Sequence, residues 1–416
     1  MEVKKAAVVG AGAMGGGIAY LLSAAGISVV VKDVVEQQVD LARDHMRGIY
    51  QRRVARGQID VAVMQQGLER VSYTLDYRAF ADVDLAIEAV PEDMEIKARV
   101  FRELDRACPP HAILGSNTSA LSISEMGRAS GRPQNVLGMH FFNPAHVMKL
   151  VEVIPGAETN DEVVATVLAL ARQLGKEPVL VRECPGFLVN RVLMPYLNEA
   201  VICLQEGAAS MPEIDAALGP DGFGWPMGPF TLMDMLGLDV CHHIIAYLDA
   251  QYGERIREAA LLRELVAAGN LGRKVGAGFY AHPARVPSAQ VGKIVSALQA
   301  SGEVERPCSA FSVDRLVLAL VNEAFFCLGE EIASAEDIDR ACVLGLGMAV
   351  RLADERVPLG PLAYVERTGA SVALDRLRHL ERTLGSRFRP APALVARAEG
   401  RTAGEVTGPG GDGTSC

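Results

Sequence analysis

No two cysteines in this chain sit at metal-ligand or redox spacing. The eight stand singly, at 108, 184, 203, 241, 308, 327, 342 and 416. Without a Cys-x-x-Cys pair or a His/Cys cluster no metal site is expected, and a reducing, cytoplasmic setting follows. Positive charge is also short. Lys and Arg number 41 against 51 Asp and Glu, a net charge of −10. That balance argues against a nucleic-acid partner, because attraction to phosphate needs a basic face. A long apolar run is missing too. The nearest candidate, residues 6–31, carries no charge and follows Lys4-Lys5, but six glycines interrupt it. It reads as strand, turn and helix rather than as a signal peptide or a membrane span, and no membrane partner is expected. What remains is a chain of 416 residues, half of them apolar and 22% charged. Such a chain suits two or three domains around a large soluble core.

Residues 4–9 predict a short buried strand. Gly10-x-Gly12-x-x-Gly15 follows at once, residues 14–25 predict a helix that stops at Gly26, and 27–32 predict a second strand ending at Asp33. Strand, glycine turn, helix, strand and acid form the fingerprint of a dinucleotide site. Gly10 permits the tight turn, Gly12 lets backbone approach a pyrophosphate at the helix start, and Gly15 allows close helix–strand packing. Asp33 can hold the adenosine ribose diol and would repel a 2′-phosphate, so NAD is favoured over NADP.

Residues 36–56 form an amphipathic helix with Val39, Ala42, Met46, Ile49 and Val54 on one side. Its other faces carry Arg43, Arg47, Arg52, Arg53 and Arg56. Two readings stand level: a solvated helix face, or a landing site for a phosphorylated substrate handle. Strands are predicted at 83–90, 112–115, 135–140, 149–154 and 178–182, with helices at about 92–107 and 161–174. Ser116-Asn117-Thr118-Ser119 lies just past a strand end, where ligands bind in doubly wound sheets. Helix capping is the plainer role for such residues.

His140 and Glu152 bracket a turn at Asn143-Pro144. A hairpin-like return would bring the carboxylate to the imidazole. That pairing holds one tautomer and leaves the other ring nitrogen to take a proton. On spacing alone, a satisfied structural histidine is the commoner reading, and the rest of the chain shifts the balance. His146 is the alternative base, expected to face solvent from the loop.

After Cys184-Pro185-Gly186 strand signals largely vanish. Helices are predicted at 187–206, 211–218, 228–236, 238–251 and 254–268, closed by the loop 272–280. The segment 281–307, with three prolines, reads as a linker with a short helix. The remainder repeats. Asn198-Glu199-Ala200 and Cys203-Leu204 recur 124 residues later as Asn322-Glu323-Ala324 and Cys327-Leu328. Glu206, Ser210 and Ile214-Asp215 recur as Glu330, Ser334 and Ile338-Asp339. Pro226-Met227-Gly228-Pro229 has a shifted counterpart in Pro358-Leu359-Gly360-Pro361. The expected architecture is an α/β Rossmann-type dinucleotide-binding domain (1–183), followed by two tandem all-α C-terminal domains (184–282 and 308–398). Residues 283–307 link the helical domains, and 399–416 form a disordered tail.

These motifs resemble the 3-hydroxyacyl-CoA dehydrogenase family, 3-hydroxybutyryl-CoA dehydrogenases included. The resemblance rests on Gly-Ala-Gly-Ala-Met-Gly-Gly-Gly-Ile-Ala at 10–19, Ser-Asn-Thr-Ser at 116–119, His-Phe-Phe-Asn-Pro at 140–144 and Met-Lys-Leu-Val-Glu-Val at 148–153. Pro-Gly-Phe-Leu-Val-Asn-Arg at 185–191 and Pro-Met-Gly-Pro-Phe at 226–230 complete it. It implies NAD-dependent interconversion of (S)-3-hydroxyacyl-CoA and 3-ketoacyl-CoA, in fatty acid metabolism. It implies His140 as catalytic base, Glu152 as its orienting carboxylate, and Ser119 and Asn190 as contacts to the reacting substrate. Gly10, Gly12, Ala13, Met14, Gly15, Asp33, Glu92, Lys97, Asn143 and Lys274 fall at cofactor positions. The family's Ser and Lys contacts to CoA fall near Ile49 and Arg56, so Arg56, or Arg52 and Arg53 beside it, would take the lysine's place. The second helical copy has Asp314 where Asn190 would stand, so no second active site is expected. It would instead pack on the first copy as an intramolecular pseudo-dimer, through residues such as Leu318, Val321, Phe325 and Leu328. A dehydrogenase of another hydroxy acid or of a carrier-bound intermediate remains the enzymatic alternative. The His140/Glu152/Ser119/Asn190 set argues against a silent NAD-binding protein.

Overall fold

Runs of Val, Ile, Leu and Ala too short for helices build the first sheet. β1 (Lys5–Val9) is buried from Ala6 onwards and pairs in parallel with β2 (Ser28–Lys32) on one side. A strand with neighbours on both edges and helices on both faces needs a continuous apolar run, not an alternating one. Between the two lies α1 (Ala13–Ala24), whose Ile18, Ala19, Leu21 and Leu22 are buried. The structure, a computed structural model, describes residues 1–304, 311–352 and 355–401. It divides into two compact units, Met1–Phe187 and the chain from Leu188 onwards.

The first unit continues through α2 (Glu36–Ala55), α3 (Val61–Glu69), β3 (Val71–Thr74), β4 (Leu85–Glu88) and α4 (Met94–Ala107). Then come β5 (Ile113–Ser116), α5 (Ile123–Ser130), β6 (Val136–Phe141), β7 (Leu150–Pro155), α6 (Asp161–Gln173) and β8 (Glu177–Leu180). All eight strands form one sheet in the order β3-β2-β1-β4-β5-β6-β7-β8. The chain reverses its direction of travel between β1 and β4, and a crevice at that switch point is where such sheets take ligands. Only the β6–β7 junction is antiparallel.

Three elements of this unit are absent from the sequence reading. α3 has only a short apolar stripe, Met64 and Leu68 packed on the core around buried Gly67, and exposed Val61 and Val63 blur it. β3 is an edge strand of four residues. α5 is short, but its ends were legible. The Ser122 hydroxyl accepts from the Glu125 amide at its start, and Gly131, at φ +79°, ends it.

The second unit opens with α7 (Val189–Gln205), buried around nearly its whole circumference. α8 (Met211–Leu218), α9 (Pro229–Leu236), α10 (Leu238–Tyr252) and α11 (Ala260–Ala267) follow. The helix expected over 254–268 is broken. A 3₁₀ turn at Gly253–Ile256 precedes α11, and Arg257 is extended. The Asn198 side chain holds the break open, donating to the Arg257 carbonyl (2.7 Å) and accepting from the Ala259 amide (2.9 Å). A distant residue thus satisfies backbone groups that a continuous helix would have paired internally.

Within the expected linker, residues 281–304 contain the short helix and, beyond that expectation, a strand pair; residues 305–307 lie outside the described residues. β9 (Tyr280–Ala281) pairs with β10 (Val286–Pro287), and α12 (Ala289–Ala300) packs on α11 and α7 through Val291 and Leu298. The repeat then runs through α13 (Val313–Gly329), α14 (Ala335–Leu346), a β11 (Ala349–Leu352) and β12 (Glu355–Pro358) hairpin, α15 (Pro361–Thr368), α16 (Ala370–Leu384) and α17 (Pro392–Ala398). α13 and α14 stand 124 residues after α7 and α8, whereas α15 and α16 stand 132 after α9 and α10. The β11–β12 hairpin falls where the offset changes, which accounts for the shifted Pro-x-Gly-Pro motif. Asn322 repeats the clamp of Asn198, on the Arg389 carbonyl and the Ala391 amide. α7 and α13 pack on each other. Leu318, Val321 and Phe325 are buried, whereas Leu328 is half-buried. The tail expected to be disordered lies outside the described residues beyond Arg401.

Candidate active site

Gly10 has φ +102°, and a Cβ there would meet the Ala89 carbonyl oxygen at 2.4 Å. At Gly15 a Cβ would sit 1.8 Å from the Gly10 oxygen. These two glycines are demanded by the turn itself. Gly12 differs, because a Cβ there would meet nothing within 4 Å. It stands at the N-terminus of α1, which no side chain caps, with Ala13 and Met14 in the first turn. An open backbone at a helix start suits an anion. Asp33, past the end of β2, is fixed beside this opening. Its Oδ2 accepts from the Ala11 amide (2.7 Å), and its Oδ1 from those of Val34 (2.7 Å) and Val35 (3.2 Å). The turn, the uncapped helix and the pinned acid fit a dinucleotide.

Glu88, at the end of β4, organises the neighbouring strand end. Fully buried, it accepts from Lys97 Nζ (2.7 Å), the Val90 amide (2.7 Å) and Ser116 Oγ (2.6 Å). Sequence reasoning passed over it, since an acid closing a strand carries no distinguishing pattern. Lys97 is buried and also lies 3.2 Å from Glu92. Glu92 Oε1 accepts from Thr118 Oγ1 (2.6 Å) and the Ser119 amide (2.9 Å). Burial pushes the Glu92 carboxyl up, but Lys97, the Thr118 hydroxyl and the Ser119 amide more than offset it, and it lies below its ordinary value. Glu92 and Lys97 therefore brace the Ser116–Ser119 turn. Asn117 ties that turn to β6, accepting from the Phe141 amide (2.9 Å).

His140 and Glu152 are register partners across β6 and β7. Directly opposed residues on antiparallel strands share a face, and here Nδ1 lies 2.6 Å from Glu152 Oε2. Glu152 is fully buried and His140 is 6% exposed. Phe142 and Phe187 flank the imidazole, with ring centroids 4.6 and 6.2 Å away. The connecting loop, which carries exposed Asn143, is braced from below. Lys176 Nζ donates to the carbonyls of Ala145 (2.5 Å) and Met148 (2.6 Å). Burial lowers Lys176 to about 8. A lysine after a helix end gives no sequence signal for this role.

His146 does not face solvent. It is half-buried, its Nδ1 is enclosed, and its ring lies near those of Tyr20 and His45. Burial, His45 and Arg52 all lower its pKa. The arginine cluster also divides. Arg53 donates to Tyr20 Oη (2.6 Å), and Arg43 and Arg47 pair with Asp40 and Asp44. Arg52 and Arg56 are exposed.

In the second unit, half-buried Asn190 occupies the first turn of α7, directly before fully buried Arg191. Lys274, in a 3₁₀ turn, pairs with both oxygens of Asp239 at 2.6 Å. Among the described residues no group of His, Cys, Asp and Glu could hold a metal ion, and no helix is long and apolar enough to cross a membrane.

Residues 5–184 match the family described as 3-hydroxyacyl-CoA dehydrogenase, NAD binding domain. Residues 186–282 and 311–411 each match 3-hydroxyacyl-CoA dehydrogenase, C-terminal domain. The fatty acid oxidation complex subunit alpha of Acinetobacter baylyi is 37% identical over 91% of the chain, and that of a Shewanella strain 36% identical over 96%. The chain spans about half the length of these relatives, 53% and 56%. The crystal structure of 3-hydroxybutyryl-CoA dehydrogenase from Escherichia coli K12 superposes with a TM-score of 0.85 at 30% identity, covering 96% of this chain and 99% of that one. (S)-3-hydroxybutyryl-CoA dehydrogenase PaaH1 from Ralstonia eutropha is 38% identical, with a TM-score of 0.64, over 67% of this chain and 99% of that one. With its dinucleotide site and both helical copies matched, the chain belongs to the 3-hydroxyacyl-CoA dehydrogenase family.

Proposed function

We propose that this chain catalyses the NAD-dependent oxidation of (S)-3-hydroxyacyl-CoA to 3-ketoacyl-CoA, and the reverse. The buried His140–Glu152 pair carries the reading. With Nδ1 held by the carboxylate, Nε2 is left to take the substrate's hydroxyl proton, and Glu152 stabilises the imidazolium that forms. The bound nicotinamide supplies the hydride acceptor. As the C3 hydride leaves, the oxygen bears developing negative charge, which the Ser119 hydroxyl and the Asn190 amide stabilise by hydrogen bonding. Glu92 fixes the backbone that presents Ser119.

Arg52 and Arg56 meet the phosphates of CoA in this reading, while Arg53 is engaged by Tyr20. The neighbours named 3-hydroxybutyryl-CoA dehydrogenase support an acyl-CoA substrate, and the singly spaced cysteines support a reducing, cytoplasmic setting. Boundaries at 183/184, 282, 307 and 398 separate the NAD-binding domain, the two helical copies and the segment joining them. The division at Phe187 and the paired family matches support this scheme. The helical copies form a pseudo-dimer within one chain, a reading supported by the α7–α13 packing. NADH oxidation assayed with acetoacetyl-CoA, longer 3-ketoacyl-CoAs and the free 3-keto acids tests the function. The CoA esters should be preferred, and faster turnover of the free acids would replace this reading with a hydroxy-acid dehydrogenase.

A further inference from the structure

Arg191 follows Asn190 directly and is wholly enclosed. Its Nε donates to Glu323 Oε1 at 2.8 Å, and its Nη2 lies 2.7 Å from Glu330 Oε2. Both acids belong to α13 or its C-terminal end, in the second helical copy. The guanidinium also lies over the Tyr252 ring, 4.6 Å from its centroid. A planar fork held at two points and stacked on an aromatic face has little rotational freedom left. The backbone at 191 is fixed with it, and so is the turn that carries Asn190.

The same arrangement occurs a second time. Arg315 Nε donates to Glu199 Oε1 at 2.6 Å, and its Nη2 to Glu206 Oε2 at 2.7 Å. These residues sit 124 positions from their counterparts. Each set also has an auxiliary arginine. Arg255 pairs with Glu323 and Glu330, and Arg387 pairs with Glu199. The residue beside the central arginine differs. It is Asn190 in the first copy and Asp314 in the second, where Arg376 lies 3.0 Å away in an ion pair. One ion-pair set therefore anchors an amide and the other an engaged acid.

We propose that Glu323 and Glu330 are positioning residues for the dehydrogenase reaction: through Arg191 they set the placement of Asn190. The second helical copy, without a site of its own, thereby serves the site of the first. This rests on the reading of Asn190 as a donor to the reacting oxygen.

The pseudo-symmetry supplies the control. Glu330→Gln and Glu206→Gln remove equivalent charges and should lower Tm by similar amounts. Glu330→Gln should lower kcat by about tenfold or more with KM little changed, since a displacement of ~1 Å can cost up to ~100-fold. Glu206→Gln should keep kcat within about twofold, on the same reasoning. In an Asn190→Ala background, Glu330→Gln should cause no further loss of kcat, because its effect passes through the missing amide. Glu323→Gln provides the same cycle if Glu330→Gln folds poorly. Equal losses in Glu330→Gln and Glu206→Gln, or a full additional loss on top of Asn190→Ala, would overturn the proposal and leave a scaffold role. Normal kcat in Asn190→Ala alone would instead refute the role of Asn190 and remove the premise, an outcome separable from the first two.

Discussion

His140 and Glu152 face each other across the single antiparallel junction of the eight-stranded sheet, Nδ1 to Oε2 at 2.6 Å. A parallel junction would have needed a long crossover between them. The antiparallel one delivers imidazole and carboxylate within twelve residues, on one face, with the loop between them braced by Lys176.

Replacing His140 with Ala should lower kcat by on the order of 10²–10⁴-fold, the usual worth of a positioned base. NADH binding, followed by fluorescence titration, should be nearly unchanged. Glu152→Gln should also lower kcat, through loss of imidazolium stabilisation. Near-normal turnover of His140→Ala would place the base elsewhere, and enclosed His146 is a poor substitute.

Asp33→Asn removes the charge and keeps one acceptor oxygen, which can serve the Val34 and Val35 amides but no longer the Ala11 amide as well. The preference for NADH over NADPH, measured as a ratio of kcat/KM, should fall by about tenfold or more, since like-charge apposition costs several kcal/mol. Wild-type protein that used NADPH equally well would refute the role of this acid.

Glu92 links pH to the Ser116–Ser119 turn. Its folded pKa lies below the ordinary 4.5. A depressed acid contributes its full stabilisation above the unfolded value and loses it as pH falls through the folded one. The urea stability gap between wild type and Glu92→Gln should be constant near neutrality and shrink below about pH 4.5. A gap independent of pH down to 3 would show that the carboxylate does not hold the turn by charge.

Arg52, Arg53 and Arg56, at the C-terminal end of α2, should separate into two classes. Arg52→Ala with Arg56→Ala should raise KM for an acyl-CoA, more strongly at low salt, and leave a pantetheine-only substrate unaffected. Arg53→Ala should cost about 0.5–1.5 kcal/mol of stability through its bond to Tyr20. Equal KM effects on both substrates would return Arg52 and Arg56 to an ordinary solvated face.

Ending the chain after residue 282 would strip α12 and α13 from α7. The apolar surface uncovered should produce aggregation or a new dimer in size-exclusion chromatography. A soluble, active, monomeric fragment would make the second helical copy an independent appendage.

Much of the first unit was legible because its signals are local. The glycine turn, the apolar run Ala6–Val9 before it and Asp33 after it sit within thirty residues. Their roles follow from backbone sterics and helix-end electrostatics. α5 was also within reach through Ser122, Glu125 and Gly131. α3 was not, because outward-facing Val61 and Val63 blur the short Met64–Leu68 stripe.

By itself the sequence determined the alternation of strands and helices, the nucleotide turn, the spacing of His140 and Glu152, and the doubling of the helical copy. Each depends on periodicity, on glycine sterics or on internal identity, which a chain carries in its order of residues. Tertiary structure alone decided the rest. Asn198 breaks a helix nearly sixty residues away by capturing its backbone, and Glu88 ties Lys97 to Ser116 across neighbouring strand ends. Arg191 finds its carboxylates 132 and 139 positions further along. These partners share no local pattern. What joins them is the requirement that buried polar groups be paired, and only the folded chain determines which groups become neighbours.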